Sequence, residues 1–340
     1  MGLRHIGRAM VIFVTVRQFR ADFGIGEMGN MRLATIKLGG TETAGVVLEK
    51  GVLPLSAVNA AKGTSWATDM LELIKSGQIR ALTAYYNDGG KAELEEIPGL
   101  VPEEEAVYAP LYRNPRRIFG IGLNYADHAG DIGSAAPKGF PGSFFKQPET
   151  LIGPGDEIML PRLKEAQKTT AEAELGIIMG ADCRDVAQED WLDAVAGYTT
   201  VLDMTEESIL KGNDYVSGNP RYLTIVKNFP TFVSFGPELV TPDEVPDVLK
   251  LEIQSVHNGE VHAKNVVANM THKPDRLVSL HSSIQGWYAG DVLSTGTPRA
   301  FRIVDGDVAE CRIYGPDGFE MKPLKNPVVD LKLHADRDYK

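Results

Sequence analysis

The segment that most constrains this chain is AEAELGIIMG, residues 171–180. Two glutamates, Glu172 and Glu174, stand one residue apart at the start of an otherwise apolar run. In a β-strand, residues i and i+2 point to the same face, so an extended segment projects both carboxylates together. Two like charges beside a core need compensation, because a low dielectric penalises each unpaired charge. The segment therefore predicts a strand that carries either an exposed polar face or a charged site.

A third carboxylate, Asp203, ends the next apolar strand pattern, GYTTVLD. Three carboxylates brought together by neighbouring strands suit a divalent cation that prefers oxygen ligands. The expected ion is Mg²⁺ or Mn²⁺, and Ca²⁺ could take the same site in a crystal. On spacing alone, an exposed polar strand face with Asp203 as a cap is the simpler explanation. Other motifs have to decide between the two.

Composition and charge exclude several classes of partner. The chain has 340 residues, of which 43% are hydrophobic and 24% charged, as in ordinary soluble proteins. The net charge of −11 argues against binding to nucleic acid or to an anionic membrane surface. The two cysteines, Cys183 and Cys311, lack CxxC spacing and predict neither a disulfide framework nor a zinc site. A reducing, cytoplasmic location is the expectation.

Four regions can be distinguished along the chain. Residues 1–30 are expected to be an N-terminal extension, and their apolar run AMVIFVTV is far too short to span a bilayer. Residues 31–113 combine strand patterns with a helical pattern in SWATDMLELIKSG, which predicts a small α/β domain. Residues 114–330 contain many short strand patterns separated by glycine and proline, which predicts a β-rich catalytic domain. Residues 331–340 are expected to form a C-terminal tail.

Local signals in the β-rich region predict one hairpin and two short helices. The segment from His257 to Glu260, HNGE, has the Asn-Gly pair typical of a two-residue hairpin turn. Pro274 is expected to start one helix. Asp185, with Gln188 three residues later, is expected to cap the other.

A second polar group lies in GIGLNYADHAGDIG, residues 120–133. If ADHAGD forms a helical turn, His128 and Asp131 lie at i and i+3 and can face each other. A histidine oriented by a carboxylate is a common general base, although a loop histidine beside an acid is the alternative. Four other histidines show no paired metal spacing and are expected to be structural or surface residues: His257, His262, His272 and His281.

Six ordered blocks between about Arg116 and Val328 resemble the fumarylacetoacetate hydrolase family. The blocks are GIGLNYADHAGDIG, SFFKQPETLIGPGDEIMLP, AEAELGIIMG, VAGYTTVLDMT, KNFPTFVSFGPELVTPDEV and GDVLSTGTP. They are similar, in that order, to the family patterns GxNYxxHxxE, FxKPxxxLxGPGDxIxLP, the ELE strand, GY…DxT, KxFDTFxPxGPxxVxxDE and GDxIxTGTP. Asp131 stands where the family usually has glutamate. Each block alone is a weak signal, whereas six in order with compatible gaps are a strong one.

The resemblance implies an α+β, β-rich fold, in which a mixed β-sandwich roll carries a smaller N-terminal α/β domain. It also implies one bound Mg²⁺ or Mn²⁺ and a homodimer. The implied metal ligands are Glu172, Glu174 and Asp203. The implied catalytic residues are His128, Asp131 and Lys227. The implied substrate contacts are Asn124, Tyr125, Lys146, Gly296 and Thr297, with Arg221 as a further one.

The chemistry implied by the resemblance is metal-dependent hydrolysis of a carbon–carbon bond. Family substrates are typically 2,4-diketo acids, here an acylpyruvate or a sugar-derived diketo acid, cleaved through a metal-bound enolate. His128, held by Asp131, would take a proton from water, and Lys227 would stabilise the oxyanion that develops. The expected partners are this small 2-oxo acid and a second copy of the chain, with neither nucleic acid nor membrane.

One block departs from the family pattern. After Asp203 the family commonly shows DxTxRDxQ, whereas this chain has DMTEESIL. Glu207 and Ser208 therefore stand in place of arginine and aspartate, which argues against a strongly anionic distal end of the substrate. Arg221 or Tyr222 could replace the missing contact.

Two alternatives remain open at the level of sequence. The same enolate would also serve a 2-oxo acid lyase, isomerase, dehydratase or decarboxylase. A catalytically silent member that binds metal and a keto acid without turnover is the other alternative, because of the EES substitution.

Overall fold

The computed structural model of the protein describes residues 30–131, 135–211 and 223–339. The side chains of Asp131, Leu210 and Lys211 lie outside that description. So do residues 1–29 of the expected N-terminal extension, and so does Arg221, an expected substrate contact.

Strands dominate the described part of the chain, as its many short apolar segments predict. Along the chain they are β1 (Arg32–Leu38), β2 (Thr41–Leu48), β3 (Gly51–Pro54), β4 (Val101–Pro102), β5 (Ile118–Gly122), β6 (Gly142–Lys146), β7 (Leu151–Ile152), β8 (Ile158–Leu160), β9 (Thr169–Met179), β10 (Val195–Glu206), β11 (Val233–Phe235), β12 (Glu238–Val240), β13 (Glu252–His257), β14 (Glu260–Val266), β15 (Val292–Ser294), β16 (Phe301–Arg302), β17 (Val308–Tyr314) and β18 (Leu324–Asp330).

The α-helices are short. They are α1 (Leu55–Lys62), α2 (Met70–Lys75), α3 (Gln78–Tyr85), α4 (Lys91–Glu95), α5 (Ala126–Asp131), α6 (Glu207–Lys211), α7 (Leu223–Val226) and α8 (Pro274–Gln285). Within the described ranges, none of them is long and apolar enough to cross a lipid bilayer.

The strands form two sheets. Within the described residues, thirteen strands make one sheet with the order β4-β3-β2-β1-β12-β10-β9-β15-β5-β6, to which β7, β11 and β16 are attached. A five-stranded sheet has the order β14-β13-β17-β18-β8. The main core joins the two sheets, for example Leu175 and Leu202 of the large sheet with Ile253 and Ile313 of the small one. This strand-rich α+β architecture confirms the expected fold class.

The N-terminal strands extend the large sheet. β1 pairs antiparallel with β12, so the first strands are hydrogen-bonded to the β-rich region. A second core cluster combines Leu33 and Val46 with Val201 and Val292. The N-terminal segment therefore shares a sheet and a core with the rest of the chain, and the expected domain boundaries near residues 113 and 330 stay predictions.

Two of the three local predictions, the hairpin at HNGE and the helix at Pro274, agree with the structure. The hairpin is confirmed, because His257 pairs with Glu260 around Asn258 and Gly259, whose φ values are 53° and 85°. The helix expected to start at Pro274 is confirmed as α8.

The helix cap expected at Asp185 is wrong. Asp185 has a positive φ of 49°, whereas a capping residue normally has extended backbone. A 3₁₀ helix begins only at Gln188, after Ala187. The preceding backbone is held by a tertiary contact instead, since the Val186 N–H donates to Ser282 Oγ of α8 (2.9 Å).

Candidate active site

Three carboxylates meet on one face of β9 and β10. These strands are antiparallel neighbours, with Glu172 directly opposite Asp203 and Glu174 opposite Val201. Directly opposed residues share a face of the sheet, as do residues two apart, so all three acids point the same way. One oxygen of each lies within 4.8 Å of the others, and all three side chains are buried. Glu172 and Glu174 lie within β9 rather than at its end.

The other face of β9 explains this orientation. Ala173, Leu175 and Ile177 alternate with the acids and belong to the main hydrophobic core. A shift of one residue in strand register would drive both glutamates into that core. The apolar half of AEAELGIIMG therefore fixes the face on which its charges lie.

Two buried lysines reach the acids from distant segments. Lys146, the last residue of β6, places Nζ 2.5 Å from Asp203 Oδ1 and 3.0 Å from the Met204 carbonyl oxygen. Lys227 follows α7 and places Nζ 2.7 Å from Asp203 Oδ2 and 3.0 Å from Glu172 Oε2. We call Glu172, Glu174, Asp203, Lys146 and Lys227 the carboxylate–lysine cluster.

Burial and neighbouring charges shift the pKa values of the cluster residues in different directions. Burial opposes ionisation of Asp203, but the charges of Lys146 and Lys227 outweigh it and hold its pKa below the usual value. Burial likewise works against the Lys227 ammonium, yet the charges of Asp203, Glu172 and Glu174 raise its pKa. Burial lowers the pKa of Lys146 to about 8, and burial followed by the charges of Asp203 and Glu172 raises the pKa of Glu174 to about 8. Glu174 is thus the acid that the two lysines balance least.

Hydroxyl and amide donors complete the hydrogen bonding of the two glutamates. Ser294 Oγ and the Gly296 N–H donate to Glu174 Oε2 at 2.5 and 2.7 Å. Thr205 Oγ1 donates to Glu172 Oε1 at 2.6 Å. Our sequence reasoning missed Ser294 and Thr205. The available signal for Thr205 was its position two residues after Asp203, on the same strand face.

Gly296 joins the cluster to the segment before α5. Its φ is 99°, and a Cβ built on it would lie 2.7 Å from Asn124 Cβ. Asn124 is buried, and its side-chain amide donates to the carbonyl oxygens of His272 (2.9 Å) and Thr295 (2.8 Å). Its Oδ1 accepts from the His272 N–H at 2.8 Å. The structure therefore uses both ends of this amide inside the protein, and substrate contact by Asn124 stays a prediction.

Two polar atoms in the α5 region have no hydrogen-bond partner among the described residues. Tyr125 is fully buried, and its hydroxyl has no hydrogen-bond partner among the described residues. Burial, then the charge of Glu174, raises the pKa of Tyr125. His128 is also buried, and its Nδ1 has no partner in the described part of the chain. Buried polar atoms are normally satisfied, so a side chain outside the described ones, a water molecule or a substrate would complete them. The expected pairing with Asp131 lies outside the described side chains.

Thr297 is buried beside the cluster, and its hydroxyl donates to the Arg299 carbonyl oxygen at 3.2 Å. The geometry thus brings together the three expected metal ligands with Lys146 and Lys227, and places Gly296 against Glu174. It leaves the expected substrate contact by Thr297 as a prediction.

The two acids that follow Thr205, Glu206 and Glu207, make contacts within the protein. Glu206 is fully buried and accepts hydrogen bonds from Lys168 N–H (3.1 Å), Thr169 Oγ1 (2.7 Å) and the Ser208 hydroxyl. Glu207 pairs with Lys168, with Nζ 2.7 Å from Oε2. These acids hold the start of α6 against the start of β9.

Comparison with known proteins identifies the family of the chain. Residues 117–329 match the family described as fumarylacetoacetate (FAA) hydrolase C-terminal. A Burkholderia orbicola (strain MC0-3) protein that carries a hydrolase name is 36% identical over 239 residues, which cover 66% of this chain and 81% of that protein.

Two solved structures are similar over 88% of this chain and 99% of theirs. One is maleylpyruvate hydrolase from Sphingobium sp. SYK-6 in complex with manganese(II) ion and pyruvate, with a TM-score of 0.67 and 27% identity. The other is fumarylacetoacetate hydrolase from the psychrophilic Exiguobacterium antarcticum, with a TM-score of 0.70 and 25% identity. Because the family match spans more than half of the chain, this protein belongs to the fumarylacetoacetate hydrolase family.

Proposed function

We propose that the protein is a divalent-metal-dependent hydrolase that cleaves a carbon–carbon bond in an acylpyruvate. The observation that carries this proposal is the convergence of three carboxylates on one strand face beside two buried lysines. The reaction consumes one water and one 2,4-diketo acid, and it yields pyruvate and the carboxylic acid of the acyl group.

The donor set fits a hard divalent cation. Glu172, Glu174 and Asp203 offer only oxygen, and the candidate ligand atoms span no more than 4.8 Å. An ion with metal–oxygen contacts of about 2.0–2.6 Å can reach three oxygens spaced in this way. We propose Mg²⁺ or Mn²⁺, and the manganese(II) in the maleylpyruvate hydrolase structure supports this choice. The bound ion would supply Lewis-acid polarisation of the 2-oxo group of the substrate.

The two lysines supply positive charge beside the three carboxylates. Lys227 stays an ammonium at neutral pH, since neighbouring carboxylates raise its pKa. It is therefore a hydrogen-bond donor for the oxyanion that forms when water adds to the distal carbonyl. Lys146 is held by Asp203 and the Met204 carbonyl oxygen, and its charge favours binding of the substrate carboxylate.

Proton transfer is assigned to His128. Its buried ring takes a proton from water, and the resulting hydroxide forms a bond to the distal carbonyl carbon. The carbon–carbon bond then breaks, its electron pair stays on the pyruvate fragment, and the imidazolium returns the proton to that carbon. Asp131 is proposed to orient His128, as the sequence spacing predicts.

The acyl end of the substrate is proposed to be uncharged. The position where the family pattern has arginine is Glu207 in this chain, and its carboxylate pairs with Lys168. The carboxylate of Glu206 accepts hydrogen bonds from other groups of the protein. A neutral acyl group is accommodated without the missing arginine, whereas an anionic one loses its counter-charge.

The test is pyruvate release by metal-depleted protein with and without added Mn²⁺. We expect Mn²⁺-dependent release of pyruvate from acetylpyruvate, and slower release from maleylpyruvate, because maleylpyruvate carries a second carboxylate. Tautomer interconversion or decarboxylation without carboxylic acid release would assign the lyase or isomerase alternative instead. Metal binding without any turnover across the panel would assign the silent alternative. A homodimer stays part of the proposal, and sedimentation velocity checks it.

A further inference from the structure

His272 lies between the two chain segments that flank α5. It is buried, and its backbone forms two hydrogen bonds with the side chain of Asn124, at 2.8 and 2.9 Å. Its ring Nε2 lies 2.5 Å from the carbonyl oxygen of Pro137. Asn124 comes just before α5, and Pro137 comes a few residues after it. One residue therefore holds both flanks of the helix that carries His128.

Arg276, four residues further along the chain, fixes the tautomer of this ring. Its Nε donates to His272 Nδ1 at 3.3 Å, and its Nη2 donates to the Gly139 carbonyl oxygen at 3.0 Å. Because an arginine can only donate, Nδ1 of His272 has to accept, and the ring proton is assigned to Nε2. The Nε2–H group therefore donates a hydrogen bond to the carbonyl oxygen of Pro137. Burial, together with the positive charge of Arg276, lowers the pKa of His272 and favours this neutral form.

The same contacts lead to the metal-ligating side of the site. The Asn124 amide that pairs with His272 also donates to Thr295, next to Gly296, whose N–H donates to Glu174. Buried hydrogen bonds, together with the peptide link from Thr295 to Gly296, thus connect His272 to Glu174 across segments that are far apart in sequence. A displacement of His272 would move α5 relative to the carboxylates.

We propose that His272 is a positioning residue that fixes α5, and with it His128, relative to the carboxylate–lysine cluster. The proposal rests on the proposed function in so far as His128 transfers the proton. It replaces our expectation that His272 is only one of several scattered structural histidines.

His281 provides a matched control on the same helix as Arg276. It is as buried as His272, at 2% exposure each. Its Nδ1 contacts the Leu277 carbonyl oxygen of its own helix, and its ring packs against Phe119 and Trp287. These contacts reach neither Asn124 nor Pro137, the two residues through which His272 holds α5. Replacement of His281 therefore reports the cost of losing a buried histidine without loosening α5.

The kinetic test compares His272→Leu, His272→Gln and His281→Leu in the full-length, Mn²⁺-loaded protein with acetylpyruvate. We expect His272→Leu to lower kcat about tenfold or more through misplacement of His128, with KM nearly unchanged. The amide nitrogen of glutamine can take the place of Nε2, so His272→Gln should restore kcat to near the wild-type value. His281→Leu should lower Tm while leaving kcat unchanged. Equal losses of kcat in both leucine variants would overturn the proposal.

Amide hydrogen exchange tests the same role without an activity assay. The Ala129 N–H donates to the Tyr125 carbonyl oxygen at 3.0 Å, so exchange of residues 124–131 reports how firmly α5 is held. His272→Leu, or Arg276→Gln if the leucine variant does not fold, should speed this exchange, and His281→Leu should not. Unchanged exchange in the His272 and Arg276 variants would overturn the proposal. If wild type releases no pyruvate, the proposed function fails while the exchange result still decides the role of His272.

Discussion

The carboxylate–lysine cluster and α5 are held in different ways. The acids of the cluster stand on two long, buried, mutually paired strands, and lysines, hydroxyls and a backbone N–H bind their oxygens. In contrast, α5 has six residues and is fixed at its flanks by Asn124 and His272. The strands therefore preorganise charge, whereas the α5 region presents Tyr125 and His128 with polar atoms that no described residue satisfies. Preorganised carboxylates suit a cation, and buried polar atoms without a described partner suit water, substrate or, for His128, the proposed contact with Asp131.

The largest expected effect is the loss of a proposed metal ligand. Glu174→Gln should lower kcat more than about 1,000-fold, because the proposed ion would supply several kcal/mol of Lewis-acid stabilisation to the transition state. Mn²⁺ binding, followed by calorimetry or electron paramagnetic resonance, should weaken in parallel. The control is Glu206→Gln, which changes another buried acid of the same strand pair. Equal Mn²⁺ affinity in both variants would contradict the ligand assignment.

The next largest effect is expected from loss of His128, the proposed general base on α5. His128→Ala should lower kcat by about 100- to 1,000-fold, within the range of a single acid–base group. Mn²⁺ affinity should stay at the wild-type value, since the carboxylates are held by other segments. An unchanged kcat would remove the general base from the proposed mechanism, and a changed Mn²⁺ affinity would show that the two regions are not independent.

A substitution at Gly296 should affect both regions, because this glycine touches each of them. Gly296→Ala should reduce the free energy of unfolding by about 1–3 kcal/mol, since φ is 99° and the new Cβ would crowd Asn124. Urea denaturation measures the stability loss, and pyruvate release measures the accompanying loss of kcat. Gly306→Ala is the control, because Gly306 also has a positive φ, of 81°, but a Cβ built on it would meet no described atom within 4 Å. The difference between the variants isolates the crowding.

The smallest expected effect is the loss of the hydrogen bond that Thr205 of β10 donates to Glu172 of the cluster. Thr205→Val removes the hydrogen bond to Glu172 and should destabilise the fold by about 1 kcal/mol. We expect kcat to fall only slightly, since Lys227 still holds Glu172. Thr170→Val is the control, because Thr170 lies opposite Thr205 with only a 3.4 Å contact to its carbonyl oxygen. An equal stability loss in both variants would show that the Glu172 contact contributes little.

Much of the strand framework of the site was predictable from local pattern. The i, i+2 spacing of Glu172 and Glu174 placed both acids on one face, and the apolar residues at alternate positions of the same strand gave that face its orientation. The Asn258-Gly259 turn was equally local, because both residues accept positive φ. The prediction of a helix cap at Asp185 was wrong, because the neighbouring backbone N–H of Val186 is bound by Ser282, almost a hundred residues away in the chain.

The sequence by itself determined which residues carry charge, which strand face they occupy and which turns are tight, because these properties depend on neighbours along the chain. Only the tertiary structure decided that Lys146 and Lys227 meet Asp203. It also decided that Glu206 is buried and hydrogen-bonded, and that His272, unlike His281, contacts the segment after α5. The physical reason is that the free energy of a buried charge or hydrogen bond depends on the groups that surround it. Those groups come from segments that only the folded chain brings together.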